Sequence, residues 1–323
     1  MGHQLQNLRP AQARLISAIA ESGQLQLAAL HCKMTQPAAS RMLAALETQL
    51  GMVLFERTPK GMEPTPSGHL LAQHAARLVH DLDRMAEDFD DLKTGRGGIV
   101  RVGSVTGPAI GHLVPAIQRL KSEAPSLDIS IEIAPSSTLI HLLERGDLDF
   151  ALARLPPHLD RRDFAIEPAR DEIVQLLVRD GHPLLGKGPQ SLATMQDFPW
   201  ILQDQGAPIR HAIETAFSDE SLTRPDNIIA TSSLLMILAL LPQSDAIAPM
   251  AREITELMLK SPVSANFRTL ELNRPITVDP YLILRSRGRI IPKSAERLLG
   301  YVRELIRLHP PARQRGYPPL PKS

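Results

Sequence analysis

Apolar residues recur through the first sixty positions at three- and four-residue intervals, the period of helices that bury one face. Leu8, Leu15 and Ile19 mark a first helix that Gly23 breaks, and Leu27–Cys32 (LAALHC) marks a short second one. Lys33 and Met34 turn the chain into a third, where Ala39, Leu43, Leu46 and Leu50 share a face. Thr35 stands at its N-cap position, and Pro37 falls in the first turn, where a missing N–H does no harm. The run Glu56-Arg57-Thr58-Pro59-Lys60-Gly61 then supplies a turn carrying two cations. Thr65-Pro66-Ser67-Gly68 opens a new helix with Thr65 as cap. Along it Leu71, Ala75, Leu78, Leu82, Met85, Phe89 and Leu92 follow at alternating spacings of four and three, a heptad stripe flanked by charge. Such a stripe covers itself by pairing with a copy of the same helix; the alternative is a long surface helix packed on its own domain.

From Ile99 the period changes to alternating strands and helices. Ile99–Val102, Leu127–Ile133 (LDISIEI) and Asp149–Ala153 read as strands. Helices lie between them at Pro108–Glu123 and Ser137–Arg145, the second ended by Gly146. This βαβαβ order predicts a mostly parallel sheet with right-handed crossovers. A second set follows: strands at Glu172–Val178, Trp200–Leu202, Ile228–Ala230 and Ala246–Ala248, with helices at Ile209–Phe217 and Ser232–Leu240. Phe267–Leu272 and Val278–Arg285 read as two more strands, and Lys293–Leu308 as a closing helix. Gly-rich 94–98 is a hinge. Residues 309–323 hold five prolines and no acid, which forbids regular structure.

Composition adds little to this picture. The 323 residues suffice for two or three domains, and a formal net charge of +1 does not announce nucleic acid. Residues 1–66 hold six Lys/Arg against four acids, a modest excess, so individual phosphate contacts and dimerisation would have to supply the electrostatics. The single cysteine, Cys32, excludes an internal disulfide and reads as a small buried hydrophobe. With no long apolar run and no signal-peptide pattern, a cytoplasmic protein without a membrane partner is expected.

The chemistry concentrates on the third helix. Its face opposite the apolar one presents Gln36, Pro37, Ser40 and Arg41 near the N-terminus, the end of a recognition helix that meets DNA. Gln can bond adenine twice, Arg can bond guanine twice or a phosphate, and Ser and Thr35 reach phosphate oxygens. Arg57 and Lys60 have the composition of a wing lying on phosphates. The stretch TQPAASRMLAALETQLGMVLFERTPKGMEPTPSG resembles the N-terminal domain of LysR-type transcriptional regulators, and the layout of the rest extends the resemblance over nearly the whole chain. Two positions depart from that pattern. Gln24-Leu25-Gln26 replaces a Ser or Thr cap, and Cys32 replaces an aliphatic residue.

The resemblance implies a multidomain protein. An all-α winged helix-turn-helix (1–66) and a linker helix for dimerisation (67–93) precede an α/β effector-binding domain (99–308) of two Rossmann-like subdomains. Subdomain I would hold 99–168 and 269–308 and subdomain II 169–268, with the chain crossing near 166–168 and 266–268. Paired linker helices (Leu71, Leu78, Leu82, Met85, Phe89) would space two recognition helices over an interrupted inverted repeat in double-stranded DNA. Homodimers would pair into homotetramers that touch RNA polymerase. A small-molecule effector would enter between the subdomains, where strand ends and helix starts converge. The segments expected there are Ser104-Val105-Thr106, Ser136-Ser137, the 203–207 loop with Gln203, and Thr231-Ser232, with Arg154 as the charged contact. Their hydroxyls and free N–H groups favour a carboxylate or a polyhydroxylated ligand. His112, Arg101 and Arg210 are weaker candidates. Ser and Thr in such places also serve as plain caps.

No GxSxG, HExxH, P-loop or dinucleotide fingerprint occurs, and the histidines are scattered. An enzyme, a metal site and a cofactor are therefore not expected. Two other classes remain beside the ligand-responsive regulator: a constitutive DNA-binding protein whose C-terminal part only oligomerises, and a small-molecule binder whose helical N-terminus docks a protein.

Overall fold

The computed structural model describes residues 8–308 apart from 60, 95–97, 157, 158, 160 and 261–264; side chains at 87, 88 and 90–94 are likewise not described. The chain divides into two compact units, one holding Met1–Ile99 with Ser126–Asp128 and His141–Asp149, the other the remainder.

In the first unit, α1 (Pro10–Ser22) buries Ala13, Ile16 and Ile19 and ends at Gly23, whose φ of 63° turns the chain off the helix. Helix α2 (Leu25–His31) buries Leu25, Ala28 and Ala29, and α3 (Gln36–Leu50) buries Ala39, Leu43 and Leu46. Cys32 packs half-buried against this core. Thr35 holds the N-cap position of α3, yet its side chain makes no capping bond. The expected wing turn is a two-stranded hairpin, β1 (Phe55–Thr58) with β2 (Gly61–Pro64). Lys60 lies outside the described residues. Helix α4 (Pro66–Thr94) follows, and Thr65 Oγ1 caps it by accepting from Gly68 N at 3.1 Å.

The linker stripe divides where the sequence showed no break. Leu71 and Ala75 are buried in the unit's own core, so Leu71 serves the domain rather than a seam. Leu82 is half-buried, and Leu78, Met85 and Phe89 are 40, 52 and 59 % exposed. The Leu92 side chain and hinge residues 95–97 lie outside the described residues.

In the second unit the strands β3 (Ile99–Ser104), β4 (Asp128–Ile133), β5 (Phe150–Ala153), β6 (Phe164–Arg179), β10 (Phe267–Leu270) and β11 (Ile276–Ser286) run in the order β10-β6-β11-β5-β3-β4, and β9 (Ala248–Ala251) also pairs β6. The expected parallel pairing holds between β3 and β5 of the βαβαβ segment, while the sheet as a whole is mixed. β3 and β5 are parallel, but β11 runs antiparallel to β5 and β6, and β9 and β10 run antiparallel to β6. Pairing direction follows the long-range return of the chain, which leaves no mark on side-chain period. β7 (Trp200–Leu202) and β8 (Ile228–Ala230) form a parallel pair beside α8 (Pro208–Asp219) and α9 (Leu234–Leu240). A further helix that the sequence reading lacked, α10 (Arg252–Leu259), buries Ile254 and Met258.

Helix α5 (Thr106–Pro108) continues through a π-helical turn, Ala109–Leu113, into α6 (Val114–Glu123). α7 spans Ser136–Arg145, and α11 spans Lys293–Leu308. Two long strands, β6 and β11, carry the chain between the halves of this unit. The core built on β7, α8 and α10 includes Phe267, Leu270, Ile276 and Val278. Residues up to Val278 thus pack with the second half, later than the expected return near 266–268. Ile131 and Ile133 of the edge strand β4 remain 45 and 48 % exposed.

Candidate DNA-reading surface and effector groove

Helix α3 turns its buried face inward and leaves Thr35, Gln36, Pro37 and Arg41 exposed, with Ser40 half-buried. Arg41 and Arg57 form no ion pair within the described residues, so both guanidinium groups are available for an anion. Arg57 is exposed on β1. A residue that sequence reasoning passed over sets the wing: Glu47 Oε1 accepts from Leu54 N at 2.8 Å and Phe55 N at 3.3 Å. That carboxylate satisfies two strand-entry N–H groups and fixes β1 against α3. Glu56 faces Glu63 across the hairpin, so the wing is not uniformly basic.

The expected effector residues form two groups. At the C-terminal ends of β3 and β5, Ser104 is fully buried and its hydroxyl donates to Val105 O at 2.8 Å. Val105 N donates to Leu152 O, and Thr106 is exposed. Ser136 Oγ accepts from Arg154 N at 3.0 Å, while Ser137 is exposed. Arg154 does not stand free. Its Nε donates to Asp279 O at 2.8 Å and its guanidinium pairs with the buried Glu172 carboxylate. The second group sits at the ends of β7 and β8. Ser232 Oγ donates to Asp204 Oδ2 at 2.7 Å, Thr231 N donates to Leu202 O, and Gln203 O accepts from buried Arg210 at 3.1 Å.

A groove of about 710 Å³ runs beside α8 and is lined by Arg154, Gly206, Pro208, His211, Arg274 and Asp279, among others. The volume suits a small metabolite. Of the expected effector residues, Arg154 alone lines it, although the 203–207 loop reaches it through Gly206. His112 is buried in the π-helical turn, its ring centroid 6.2 Å from that of Tyr281. Burial pushes the Tyr281 phenol well above its ordinary value, and burial also raises Glu253. Neither Glu172, Glu253 nor Tyr281 carried a sequence signal, because the chain brings them together only through β6, α10 and β11.

Residues 93–307 match the family described as LysR substrate binding domain, and residues 10–69 match the bacterial regulatory helix-turn-helix protein, lysR family. The chain is 33 % identical to the HTH-type transcriptional regulator GbpR of Azospirillum brasilense, over 92 % of this chain and 86 % of that one. It is 35 % identical to GbpR of Rhizobium radiobacter, over 75 and 81 %. The crystal structure of full-length CbnR complexed with target DNA superposes with a TM-score of 0.61 at 20 % identity, covering 92 % of this chain and 100 % of that one. A full-length OxyR variant from Pseudomonas aeruginosa gives 0.60 at 20 %, covering 94 and 95 %. At that identity the two structures establish the likeness of fold.

Proposed function

The chain belongs to the LysR family, DNA-binding transcriptional regulators with an effector-binding domain, and on that premise we propose how its parts act. Gln36 and Arg41 read base edges from the exposed face of α3, with Thr35, Pro37 and Ser40 close to the backbone. Arg57 and Lys60 of the wing bind phosphates. The exposed apolar positions Leu78, Met85 and Phe89, with Leu82, pair with a second copy and set the spacing of an interrupted inverted repeat. Ile131 and Ile133 of β4, with Leu235 and Met236 of α9 at 79 and 51 % exposure, would be covered in a further pairing of effector domains.

The effector is a small polar molecule, a carboxylate or a polyhydroxylated metabolite. It lodges along the groove at Arg154 and the 203–207 loop, with the Ser136 and Thr231-Ser232 turns beside it. Binding shifts the population of tetramers between two arrangements by its differential affinity for them, changing DNA bend and contact with RNA polymerase. No helix among the described residues is long and apolar enough to cross a membrane.

The observation that carries the DNA-reading proposal is the pair of guanidinium groups without an ion-pair partner among the described residues, Arg41 on α3 and Arg57 on the wing. Footprinting on the DNA upstream of the gene and of its divergent neighbour tests it. The expected result is a protected inverted repeat. Arg41→Ala should weaken that protection by about 10- to 100-fold, the value of one bidentate base contact. Equal protection by wild type and variant would remove Arg41 from the reading surface.

A further inference from the structure

The basic face of α4 is committed to a single turn of the chain. Arg77, His80 and Arg84 lie three and four residues apart and so share one side of the helix. Arg77 Nε donates to Glu144 O at 3.1 Å, His80 Nδ1 stands 3.2 Å from Asp147 Oδ1, and Arg84 pairs with Asp149 at 2.7 Å. All belong to the first compact unit. Gly146, at φ 85°, ends α7 and shapes this turn, with Gly146 N and Asp147 N donating back to Leu143 O and Leu142 O. Arg145 ties the same turn to α1 through Glu21 at 3.7 Å.

The Arg84–Asp149 pair differs from the others in burial: Arg84 is 8 % and Asp149 1 % exposed. A buried ion pair is a costly way to join a helix to a loop, and removing one partner disrupts more than removing both together. Asp149 is followed directly by β5, whose four residues are fully buried. β5 is bonded on one side to β3 and on the other to β11, which holds its backbone extended along its length. At its far end stands Arg154, roughly 17 Å away at the rise of an extended strand. There a second pair, half-buried Arg154 with buried Glu172 (4 % exposed), fixes the other end.

We propose that Arg84 and Asp149 form the latch that ties the linker helix to the turn leading into β5, and that β5 is the rod through which a change at Arg154 reaches that turn. Arg84 is thus a positioning residue: it touches neither DNA nor ligand, and acts through Asp149. The role in regulation rests on the effector reading of Arg154 given above.

Amide hydrogen exchange of full-length protein over residues 74–86 tests the coupling without any ligand. Arg154→Gln stands in for a perturbation at the far end. In the native background it speeds exchange in this stretch roughly threefold or more, while residues 10–22 of α1 keep their protection. In the Arg84→Met/Asp149→Leu double variant, where both charges are removed together, Arg154→Gln no longer moves it. Arg84→Lys, which keeps the pairing charge, retains the response. An undiminished response in the double variant overturns the latch. No response in the native background overturns the rod. The effector reading fails separately, when Arg154→Gln leaves a ligand-dependent footprint unchanged.

Discussion

Arg303 holds Glu167 with two nitrogens, Nε donating to Oε2 at 2.8 Å and a terminal nitrogen to Oε1. This hydrogen-bonded pair, aided by Arg285, keeps the Glu167 carboxyl below its ordinary value against the opposing effect of burial. A carboxyl lowered on folding contributes stability above its unfolded value and loses it as pH falls through the folded one. Arg303→Met should therefore destabilise the protein near neutrality, by about 1 kcal/mol or less because both side chains are a third exposed. Denaturant titrations at several pH values should find the gap from wild type closing below about 4.5, the ordinary Glu value. Gly68 illustrates a different constraint. A Cβ there would lie 1.8 Å from Leu54 O, a backbone atom that cannot swing aside. Gly68→Ala should cost about 2 kcal/mol or more, seen as a lower thermal midpoint of the DNA-binding unit.

Among elements, α4 carries two jobs along its length. Its first turns complete the core through Leu71, Ala72 and Ala75, and its later turns leave Leu78, Met85 and Phe89 exposed. The heptad spacing was legible in the sequence, but the change of role was not, because buried and partner-facing leucines look alike in a single chain. Leu78→Asp with Phe89→Asp should leave the fold intact and shift sedimentation toward the monomer, with protection reduced to half-sites. Retained dimers would point to pairing elsewhere. The length of β6 was equally hidden. Its Phe164–Arg179 span includes Pro168, Arg170 and Asp171, residues that a reading by strand propensity stops at, and pairing with β11 holds them extended.

At the scale of the molecule, regulation requires that ligand occupancy alter the arrangement of DNA-bound copies. Gly206 lies at the groove with open space where a side chain would project, but its φ of 83° resists substitution. Exposed His211 on α8 is the better position for a block. His211→Trp should fill the groove, abolish any ligand-induced change in footprint or DNA bend, and leave basal DNA affinity within about twofold, since surface substitutions away from a site are usually near neutral. A ligand response unchanged by this variant would move the effector away from the groove.

The sequence by itself determined the periods of α1, α3 and α4, the chemistry of α3's outer face, and the alternation that separates an α/β domain from a helical one. Side-chain spacing records burial directly, and short-range hydrogen bonding does the rest. Only the tertiary structure decided what each candidate residue is free to do. Ser104 reads as a cleft-facing hydroxyl after the first strand and is fully buried; Arg154 reads as the charged contact for a ligand and is held by Glu172 and Asp279. Glu172 lies on β6 and Arg154 follows β5, and they meet because β11 runs between those two strands, an antiparallel order set by chain return rather than local pattern. Availability depends on partners far away in the chain, and those partners are chosen by packing.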